Sequence, residues 1–524
     1  MAWKIKDDAN TPKQVYNWRL YFASIAAGFC GFLFGYDNAF IGGTLALASF
    51  KTQFGLLNKS TTEINNLSSN IVITFQAGCL FACLLSLPCA ELLGRRLTLI
   101  LPSIIFLVGA AIELTGNIGA LYAGRLLTGL GLGPLTMVAS LYVSEIAPPA
   151  FRGRCIGFFE IMIQLGALLG FWINYGVSMH ISSRTALQWR VPISLQIPLI
   201  AILLLGSVLL PESPRFLMKQ DNIEKASTTL CRLRNLDITH PFLQRELSDM
   251  QIEIQLERNL LGISIGESKW TSVKRKFHEC TERKMLHRIS VGVMCQLIAQ
   301  LSGINGMNYY SPLIFESLGV TGTDTGLFAT GIYGVVKSAS ATISMLFLVD
   351  RVGRKKLLLA ACGIMTFSLF FVGAYVKIAH PNKDVQNING GAIAAIAFIY
   401  IYAIGYASAF GGIPYMLSSE TVPINVRAIS ATLGASMQWL MNLVITKATP
   451  YMISSISYGT FFFFGSCVVC GALYIFFFVP ETKGVPLEHM AVVFGHEDVV
   501  SAKRAEHNLP EVREMETVYA PRMD

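Results

Sequence analysis

The stretch CGFLFGYDNAFIGG (Cys30–Gly43) decides what kind of fold this chain has. From Leu20 to Phe50 every residue is apolar, small or neutral polar, except Asp37. About 20 such residues form a helix that can cross the roughly 30 Å hydrocarbon core of a bilayer. A charge in such a helix costs on the order of 3 kcal/mol. We therefore expect Asp37 to face protein rather than lipid and to have a basic partner.

The composition of the whole chain agrees with a membrane protein. Of its 524 residues, 53% are hydrophobic and only 14% are charged, and the mean hydropathy is +0.51. This composition excludes a chain of soluble domains. Apolar stretches of helical length predict twelve membrane-spanning helices, at about 19–45, 71–93, 97–115, 120–143, 155–177, 189–210, 287–311, 326–348, 357–378, 392–418, 428–452 and 457–479.

A polar segment divides these helices into six and six, and the two halves resemble each other. ELLGRR (Glu91–Arg96) recurs as DRVGRK (Asp350–Lys355), and SEIAPPAFRG (Ser144–Gly153) recurs as SETVPINVRA (Ser419–Ala428). Such repeats predict an all-α fold of two pseudo-symmetric six-helix bundles. The predicted parts are a cytoplasmic N-terminus (1–18), an N-terminal bundle (19–210), a cytoplasmic helical linker (211–286), a C-terminal bundle (287–479) and a largely disordered cytoplasmic tail (480–524).

The formal net charge of +8 is explained by membrane topology rather than by a nucleic-acid partner. The basic residues lie mostly in short connections, which predicts that these connections and both termini are cytoplasmic. Two sequons, at Asn58 and Asn66, fall in the first loop on the opposite face and predict glycosylation there. Most of the eleven cysteines lie in apolar helices and are interpreted as packing residues. Neither an enzyme active site nor a metal site is expected, because no nucleophile with a base, phosphate loop or ligand spacing is present in the membrane portion.

Motifs spread from Asp37 to Gly484 identify the family that this chain resembles. They are GFLFGYD, GRLLTGLGLG, SEIAPPAFRG, PESPRFL, QLSGINGMNYYSP, DRVGRKK and PETKG. In these motifs the chain resembles the sugar porter family of the major facilitator superfamily. It is most similar to fungal members, including quinate permeases and hexose or pentose carriers. The resemblance implies alternating access by two rocking bundles that hold one polyhydroxylated substrate between them.

The resemblance also gives Asp37 a partner and a role. In proton-coupled members, an acid and an arginine at the matching positions form a pair, here Asp37 and Arg125. The arginine favours the ionised acid, and a conformational change that separates the two lets the acid take up a proton. A permanent buried ion pair is the alternative, as is a facilitator without proton coupling. Protons are the expected coupling ion, and no cofactor is expected.

Charged residues at the cytoplasmic ends of the helices predict an inner gate. Exposed ion pairs are worth less than about 1 kcal/mol each, so a ring of them can lock one state and still release it. Topogenic signals or solvated loop charges are the alternative. The predicted gate consists of Glu91, Arg95, Arg96, Glu145, Arg152, Glu212, Asp350, Arg354, Glu420, Arg427 and Glu481.

Amide side chains in apolar helices predict the substrate site, because amides both donate and accept hydrogen bonds at little desolvation cost. Hydrogen bonding between helices is the alternative. Tyr309 and Tyr310 match an aromatic pair that closes over the substrate from outside. Gly411–Pro414 is expected to break the tenth helix. The predicted substrate-binding residues are Gln164, Gln300, Asn305, Asn308, Lys337, Tyr415 and Asn442.

Three positions depart from the family pattern. Ala299 replaces the first amide of the Gln-Gln-Leu-Ser-Gly motif, and Tyr415 stands where many members have tryptophan. Lys337 is the only charge between residues 327 and 349, at about the place of a substrate-contacting asparagine. An ammonium in mid-membrane attracts a carboxylate, which favours a sugar acid. The alternative is that Lys337 pairs with an internal acid such as Glu160 or Glu113, whose roles the sequence leaves open.

The leading functional hypothesis is proton-coupled uptake of a monosaccharide, or a related polyol or sugar acid, across the plasma membrane. A proton-coupled carrier of a sugar acid such as quinate or galacturonate is the alternative substrate class. A nutrient sensor that binds sugar without transport belongs to another class, and such sensors tend to have a longer tail than the one after Val479. The expected partners are a small-molecule substrate and the lipid bilayer, and a monomer suffices for this mechanism.

Overall fold

The computed structural model of the chain describes residues 11–260, 274–275, 278–320, 322–379, 390–423, 426–483 and 494. Side chains are described for these residues except 149–156, 256–257, 260, 284 and 350. The start of the predicted N-terminal segment and nearly all of the predicted tail therefore lie outside the described residues.

In the described part of the chain, twelve helices are long and apolar enough to cross a membrane, which confirms the predicted all-α membrane fold. Large apolar side chains such as Phe81, Leu205 and Phe477 are exposed on their outer surface, as lipid contact requires. The twelve helices are α1 (Trp18–Ala46), α2 (Thr61–Leu93), α3 (Arg95–Glu113), α4 (Ile118–Ile146), α5 (Pro149–His180), α6 (Leu187–Leu209), α7 (Met285–Ser317), α8 (Thr323–Leu348), α9 (Arg354–Ala379), α10 (Gly390–Glu420), α11 (Arg427–Ile456) and α12 (Gly459–Phe478).

Helix α2 begins at Thr61 rather than near residue 71, because its first turns are polar but well capped. The Ser60 hydroxyl oxygen accepts the Glu63 backbone N–H at 3.4 Å, and a Glu63 carboxylate oxygen accepts the Ser60 N–H at 2.9 Å. This capping box satisfies two N–H groups at the helix start. The predicted loop position is therefore wrong for Asn66, which lies in α2, whereas Asn58 lies in an exposed turn. Glycosylation at either site stays a prediction.

Glycines set the distance between α1 and α5. A Cβ atom on Gly35 would lie 1.8 Å from the backbone oxygen of Ile163, and one on Gly166 would lie 1.9 Å from that of Phe32. Small residues of this kind let two membrane helices approach until their backbones touch. This contact fixes the position of Asp37 and its neighbours on α1 relative to α5.

Helices α7 and α10 are both interrupted in mid-membrane. The first part of α7 ends at Leu301, and the second begins at Ile304 after Gly303, which has the left-handed φ of +86°. In α10 the helix stops at Ala409 and restarts at Ile413, so the predicted break at Gly411–Pro414 is present. Non-helical backbone is tolerated at this depth where it lines a cavity.

Within the described residues, the polar segment after α6 includes the helices Pro214–Lys219, Ile223–Arg234 and Pro241–Leu260. The second packs against the end of α4 through Arg234, whose guanidinium is fully buried. Its NH1 donates to the carbonyl of Ile146 at 2.8 Å, and the other side of the guanidinium binds both carboxylate oxygens of Glu246. These bonds hold the linker helices against the first six membrane helices.

Candidate substrate cavity and proton-coupling site

A polar cavity lies between the two sets of six helices. It holds about 640 Å³ of empty space, counting the solvent at its mouth. Residues of α1, α5, α7, α8, α10 and α11 line it. Its polar and titratable side chains are Asn38, Glu160, Gln164, Gln296, Gln300, Asn305, Asn308, Lys337, Tyr406, Tyr415 and Gln438.

The structure brings most of the predicted substrate-binding residues together at this cavity, namely Gln164, Gln300, Asn305, Asn308, Lys337 and Tyr415. Asn442 is the exception and does not line it. The Asn442 side-chain oxygen accepts the amide of Gln76 on α2 at 3.0 Å and the hydroxyl of Thr446 at 3.1 Å. Asn442 therefore makes the interhelical hydrogen bond that was the alternative, because its face of α11 is turned toward α2.

Two amides that the sequence analysis did not single out also line the cavity. Gln296 lies one helical turn before Gln300, and Gln438 lies one turn before Asn442. The i, i+4 spacing of amides on an otherwise apolar helix was the signal that could have found them. Gln296 Nε2 and Gln164 Oε1 are buried and have no hydrogen-bond partner among the described residues. Such orphaned groups are costly unless a ligand satisfies them.

The break in α7 positions the amides of that helix. Because Gly303 turns the chain, Gln300 at the end of the first part and Asn305 in the second part meet, and the Asn305 amide donates to the Gln300 oxygen. One turn further on, Asn308 Oδ1 accepts hydrogen bonds from the Tyr333 hydroxyl and from Lys337 Nζ, each at 3.2 Å. The unwound turn thus concentrates hydrogen-bonding groups on one wall of the cavity.

Lys337 projects from α8 into this cavity with 7% of its surface exposed. Asn308 is its hydrogen-bond partner, and no carboxylate oxygen lies within 4.0 Å of Nζ among the described residues. Glu160 lines the same cavity but accepts its hydrogen bond from Gln164 Nε2, at 2.8 Å. Glu113 lies elsewhere, beside Arg125. A direct ion pair of Lys337 with either acid is therefore not present.

Asp37 and Arg125 form the predicted pair. Arg125 NH1 donates to Asp37 Oδ1 at 2.9 Å, and both side chains are fully buried. The guanidinium carbon also lies 4.6 Å from the ring centre of Phe75, a cation–π contact. The pair has a third member that the sequence left open, because Glu113 Oε1 lies 3.8 Å from the same NH1.

Hydrogen bonds hold Glu113 beside this pair. Thr128 Oγ1 donates to Glu113 at 2.9 Å and Gln196 Nε2 donates at 3.2 Å. Two buried carboxylates therefore share one arginine. The proton-coupling role of Asp37 and Arg125 stays a prediction.

The predicted outer gate lies where α1 meets α7. Tyr309 and Tyr310 are both buried, and the Tyr309 hydroxyl donates to Asn38 on α1. Tyr310 has non-helical dihedral angles (φ −124°, ψ 22°) that kink α7. A Cβ atom on Gly42 would lie 2.4 Å from the backbone oxygen of Tyr309, so the two helices touch here without side chains between them. The role of these two tyrosines as an outer gate stays a prediction.

At the helix ends predicted to be cytoplasmic, the two halves repeat one arrangement. Arg95 binds Glu145 with NH2 to Oε1 at 2.7 Å, and Glu212 accepts the Arg95 backbone N–H at 2.9 Å. The corresponding residues of the second half are Arg354, Glu420 and Glu481. Arg354 NH2 lies 3.4 Å from Glu420 Oε1, and Glu481 accepts the Arg354 backbone N–H at 2.9 Å.

These pairs lie within each half in this structure. Of the other predicted gate residues, Glu91 lies 3.9 Å from Arg95, Arg96 is on α3 next to it, and Arg427 begins α11. The side chains of Arg152 and Asp350 lie outside the described residues. Pairing between the halves when the inner gate closes stays a prediction.

Comparison with known proteins agrees with this architecture. The profile of the family described as "Sugar (and other) transporter" matches residues 23–494. A probable quinate permease of Aspergillus fumigatus is 40% identical over 493 residues, which cover 93% of this chain and 90% of that protein. The quinate permease of Neurospora terricola is 40% identical over 508 residues, covering 95% and 93%.

Among solved structures, the proton:xylose symporter XylE of E. coli bound to 6-bromo-6-deoxy-D-glucose is similar with a TM-score of 0.72. It is 25% identical, and the match covers 90% of this chain and 98% of that one. The family profile, the relatives and the fold all agree with the motifs. The chain therefore belongs to the sugar transporter family of the major facilitator superfamily.

Proposed function

We propose that this transporter carries a polyhydroxylated monocarboxylate of the quinate class into the cell together with protons. The observation that carries the proposal is Lys337, a buried cation in the central cavity without a carboxylate partner within 4.0 Å among the described residues. A buried charge is costly unless paired. Glu160, in the same cavity, balances this charge only from beyond 4.0 Å, and a substrate carboxylate would supply a direct partner.

The remaining lining suits the hydroxyl groups of such a substrate. Gln164 offers an unpaired acceptor and Gln296 an unpaired donor, and a hydroxyl can serve as donor to one and acceptor from the other. The relatives named quinate permease support this substrate class, since they are about 40% identical over nearly the whole chain.

Proton coupling is proposed from the buried cluster of Asp37, Arg125 and Glu113. A carboxylate that exchanges an arginine for a proton as the protein changes conformation links proton movement to alternating access. The similarity to XylE, named a proton:xylose symporter, supports this coupling. No cofactor other than the coupling proton enters the proposal.

A neutral monosaccharide is the second candidate substrate. Most of the polar cavity residues are neutral amides, as a sugar without a charge requires, and XylE supports this class as well. In that case the Lys337–Asn308 hydrogen bond is structural.

The plasma membrane is the proposed location, with both termini in the cytoplasm and a monomer as the working unit. Basic residues at Arg95–Arg96 and Arg354–Lys355 support this orientation, because positive charge is retained on the cytoplasmic side. The protein is proposed to be a carrier and not an enzyme.

The test compares uptake of radiolabelled quinate and xylose by carrier-deficient yeast that expresses wild-type protein, Lys337→Gln or Lys377→Gln. The last variant is the matched control, because Lys377 is exposed at the end of α9. Hydrogen bonds to charged groups are worth about 1.5–3 kcal/mol. We therefore expect Lys337→Gln to raise the KM for quinate about 10- to 150-fold, while the control stays near wild type.

Quinate uptake that Lys337→Gln leaves unchanged would contradict the carboxylate partner. Uptake of xylose alone, equal in all three proteins, would favour the neutral sugar. Surface expression of each variant, measured with a fluorescent tag, must match wild type for the comparison to count.

A further inference from the structure

Glu160 is a buried acid in the substrate cavity that stands apart from the Asp37 cluster. It lies on α5 with 8% of its surface exposed, and one oxygen accepts the Gln164 amide at 2.8 Å. A Cβ atom on Gly411, in the break of α10, would lie 2.9 Å from Glu160 Oε1, so the break makes room for this carboxylate. No hydrogen bond to its second oxygen is found among the described residues.

The titratable groups that share the cavity with Glu160 are few. From α8 it is faced by Lys337, and from α10 by Tyr406 and Tyr415. The residues that α1, α7 and α11 contribute to the lining are neutral amides and apolar or small side chains. Asp37, although on α1, binds Arg125 instead and does not line the cavity.

The formal charge of the cavity follows from these groups. The tyrosines are neutral, so an ionised Glu160 and a protonated Lys337 sum to zero. A monoanionic substrate adds one negative charge to this enclosed, low-dielectric space, where uncompensated charge is strongly disfavoured. One proton added to the cavity restores neutrality, and Glu160 is the group in its lining that can accept it.

We propose that Glu160 takes up a proton when an anionic substrate binds at Lys337, and is thereby a second proton-binding group of the transport cycle. This inference rests on the proposed function, since it requires a carboxylate substrate. The proton comes from water on the side where substrate enters, forms an O–H bond with the Glu160 carboxylate, and leaves when the substrate is released on the other side.

Two consequences follow. The protonated carboxyl becomes a hydrogen-bond donor, so Glu160 can bind a substrate oxygen that its ionised form would repel. A neutral sugar adds no charge to the cavity and draws no proton to Glu160. The same protein would therefore bind one more proton with quinate than with a neutral sugar.

The experiment is isothermal titration calorimetry of the purified full-length protein in detergent. Quinate is added at one pH in buffers with different enthalpies of ionisation, because the slope of the observed heat gives the number of protons taken up. The proteins are wild type, Glu160→Gln and, as a control, Glu224→Gln, which alters an exposed acid of the linker. Size-exclusion chromatography and circular dichroism confirm that each is folded, and Glu160→Ala replaces the glutamine variant if that one is not.

We expect about one proton per quinate for wild type and for Glu224→Gln, and none for Glu160→Gln, which still binds quinate. For wild type, the Kd should weaken up to 10-fold per pH unit as the pH rises, whereas the Kd of Glu160→Gln should be flat. Quinate binding weakens as the pH rises because it is linked to the uptake of a proton, and protons become scarcer at higher pH.

The outcomes separate the inference from the function on which it rests. Quinate binding to wild type without proton uptake overturns the inference alone, as does uptake that persists in Glu160→Gln or disappears in Glu224→Gln. Absence of quinate binding to wild type overturns the proposed function, and this inference with it.

Discussion

The substitution Arg125→Gln should destabilise the protein far more than Asp37→Asn, although the two residues bind each other. The reason is that Arg125 also interacts with a second acid, Glu113. At an effective dielectric constant of about 20, Arg125 gains about 6 kcal/mol of Coulomb attraction from Asp37 at 2.9 Å and about 4 kcal/mol from Glu113 at 3.8 Å. Arg125→Gln removes both attractions and leaves two buried carboxylates without a cation.

Arg125→Gln therefore leaves two buried carboxylates without a cation, whereas Asp37→Asn leaves Arg125 paired with Glu113. Most of the Coulomb attraction is offset by the cost of burying the charges, and the cost of breaking a buried pair is about 3–5 kcal/mol. We expect a loss of this size in the free energy of unfolding for Arg125→Gln. In Asp37→Asn, Glu113 still neutralises Arg125, so the loss should be about 1–2 kcal/mol.

Unfolding by SDS in mixed micelles measures these losses, with Arg125→Lys as the control that keeps the charge. Lower pH should partly rescue Arg125→Gln, because protonation of Asp37 and Glu113 removes the unpaired charges. The reasoning fails if Asp37→Asn costs as much as Arg125→Gln, since Glu113 would then not share the arginine. It also fails if the stability of Arg125→Gln relative to wild type does not improve as the pH falls.

Three further predictions concern the helices and the coupling. Gly166→Ala should lower thermal stability in detergent, because the new Cβ would lie 1.9 Å from a backbone oxygen of α1. Gly176→Ala is the control on the same helix and should not lower it, because no atom lies within 4 Å of the added Cβ. Equal stabilities of the two variants would contradict the close contact. Gly42→Ala should hold α1 away from Tyr309 and abolish transport while external substrate still binds, and wild-type uptake would argue against closure at this point. Asp37→Asn should remove the contribution of one proton to accumulation, about 2.7 kcal/mol at a gradient of two pH units, but keep substrate exchange in proteoliposomes; undiminished accumulation would place that coupling step elsewhere.

The membrane helices were predictable because every span must be apolar and long enough to cross the hydrocarbon core. A run of about 20 apolar residues with few charges is typical of a membrane-spanning helix, and the twelve spans were found on that basis. The beginning of α2 was missed because its first turns, around Asn65 and Asn66, are polar. Their helical state depends on the capping box at Ser60 and on the aqueous end of the bundle, which hydropathy does not register.

The site was predictable to the extent that buried polar residues need partners. Asp37 and Arg125 were each recognisable as a charge that an apolar segment cannot leave unpaired, and the family resemblance identified them as partners. Asn442 does not line the cavity, because an amide on α11 can face either the cavity or α2, and helical rotation decides which. The position of Glu113 beside Arg125 depends on the packing of α3 against α4, which a single sequence does not specify.

The most direct test of proton-coupled uptake of a carboxylate substrate is external pH in weakly buffered, carrier-deficient yeast that expresses the protein. Quinate, galacturonate, xylose and glucose are added in turn, at a pH where the acids are ionised. We expect alkalinisation of the medium on addition of quinate, none with the same cells lacking the protein, and a loss of the signal in Lys337→Gln. Uptake of quinate without alkalinisation would contradict proton coupling, and alkalinisation with the neutral sugars alone would contradict the carboxylate substrate.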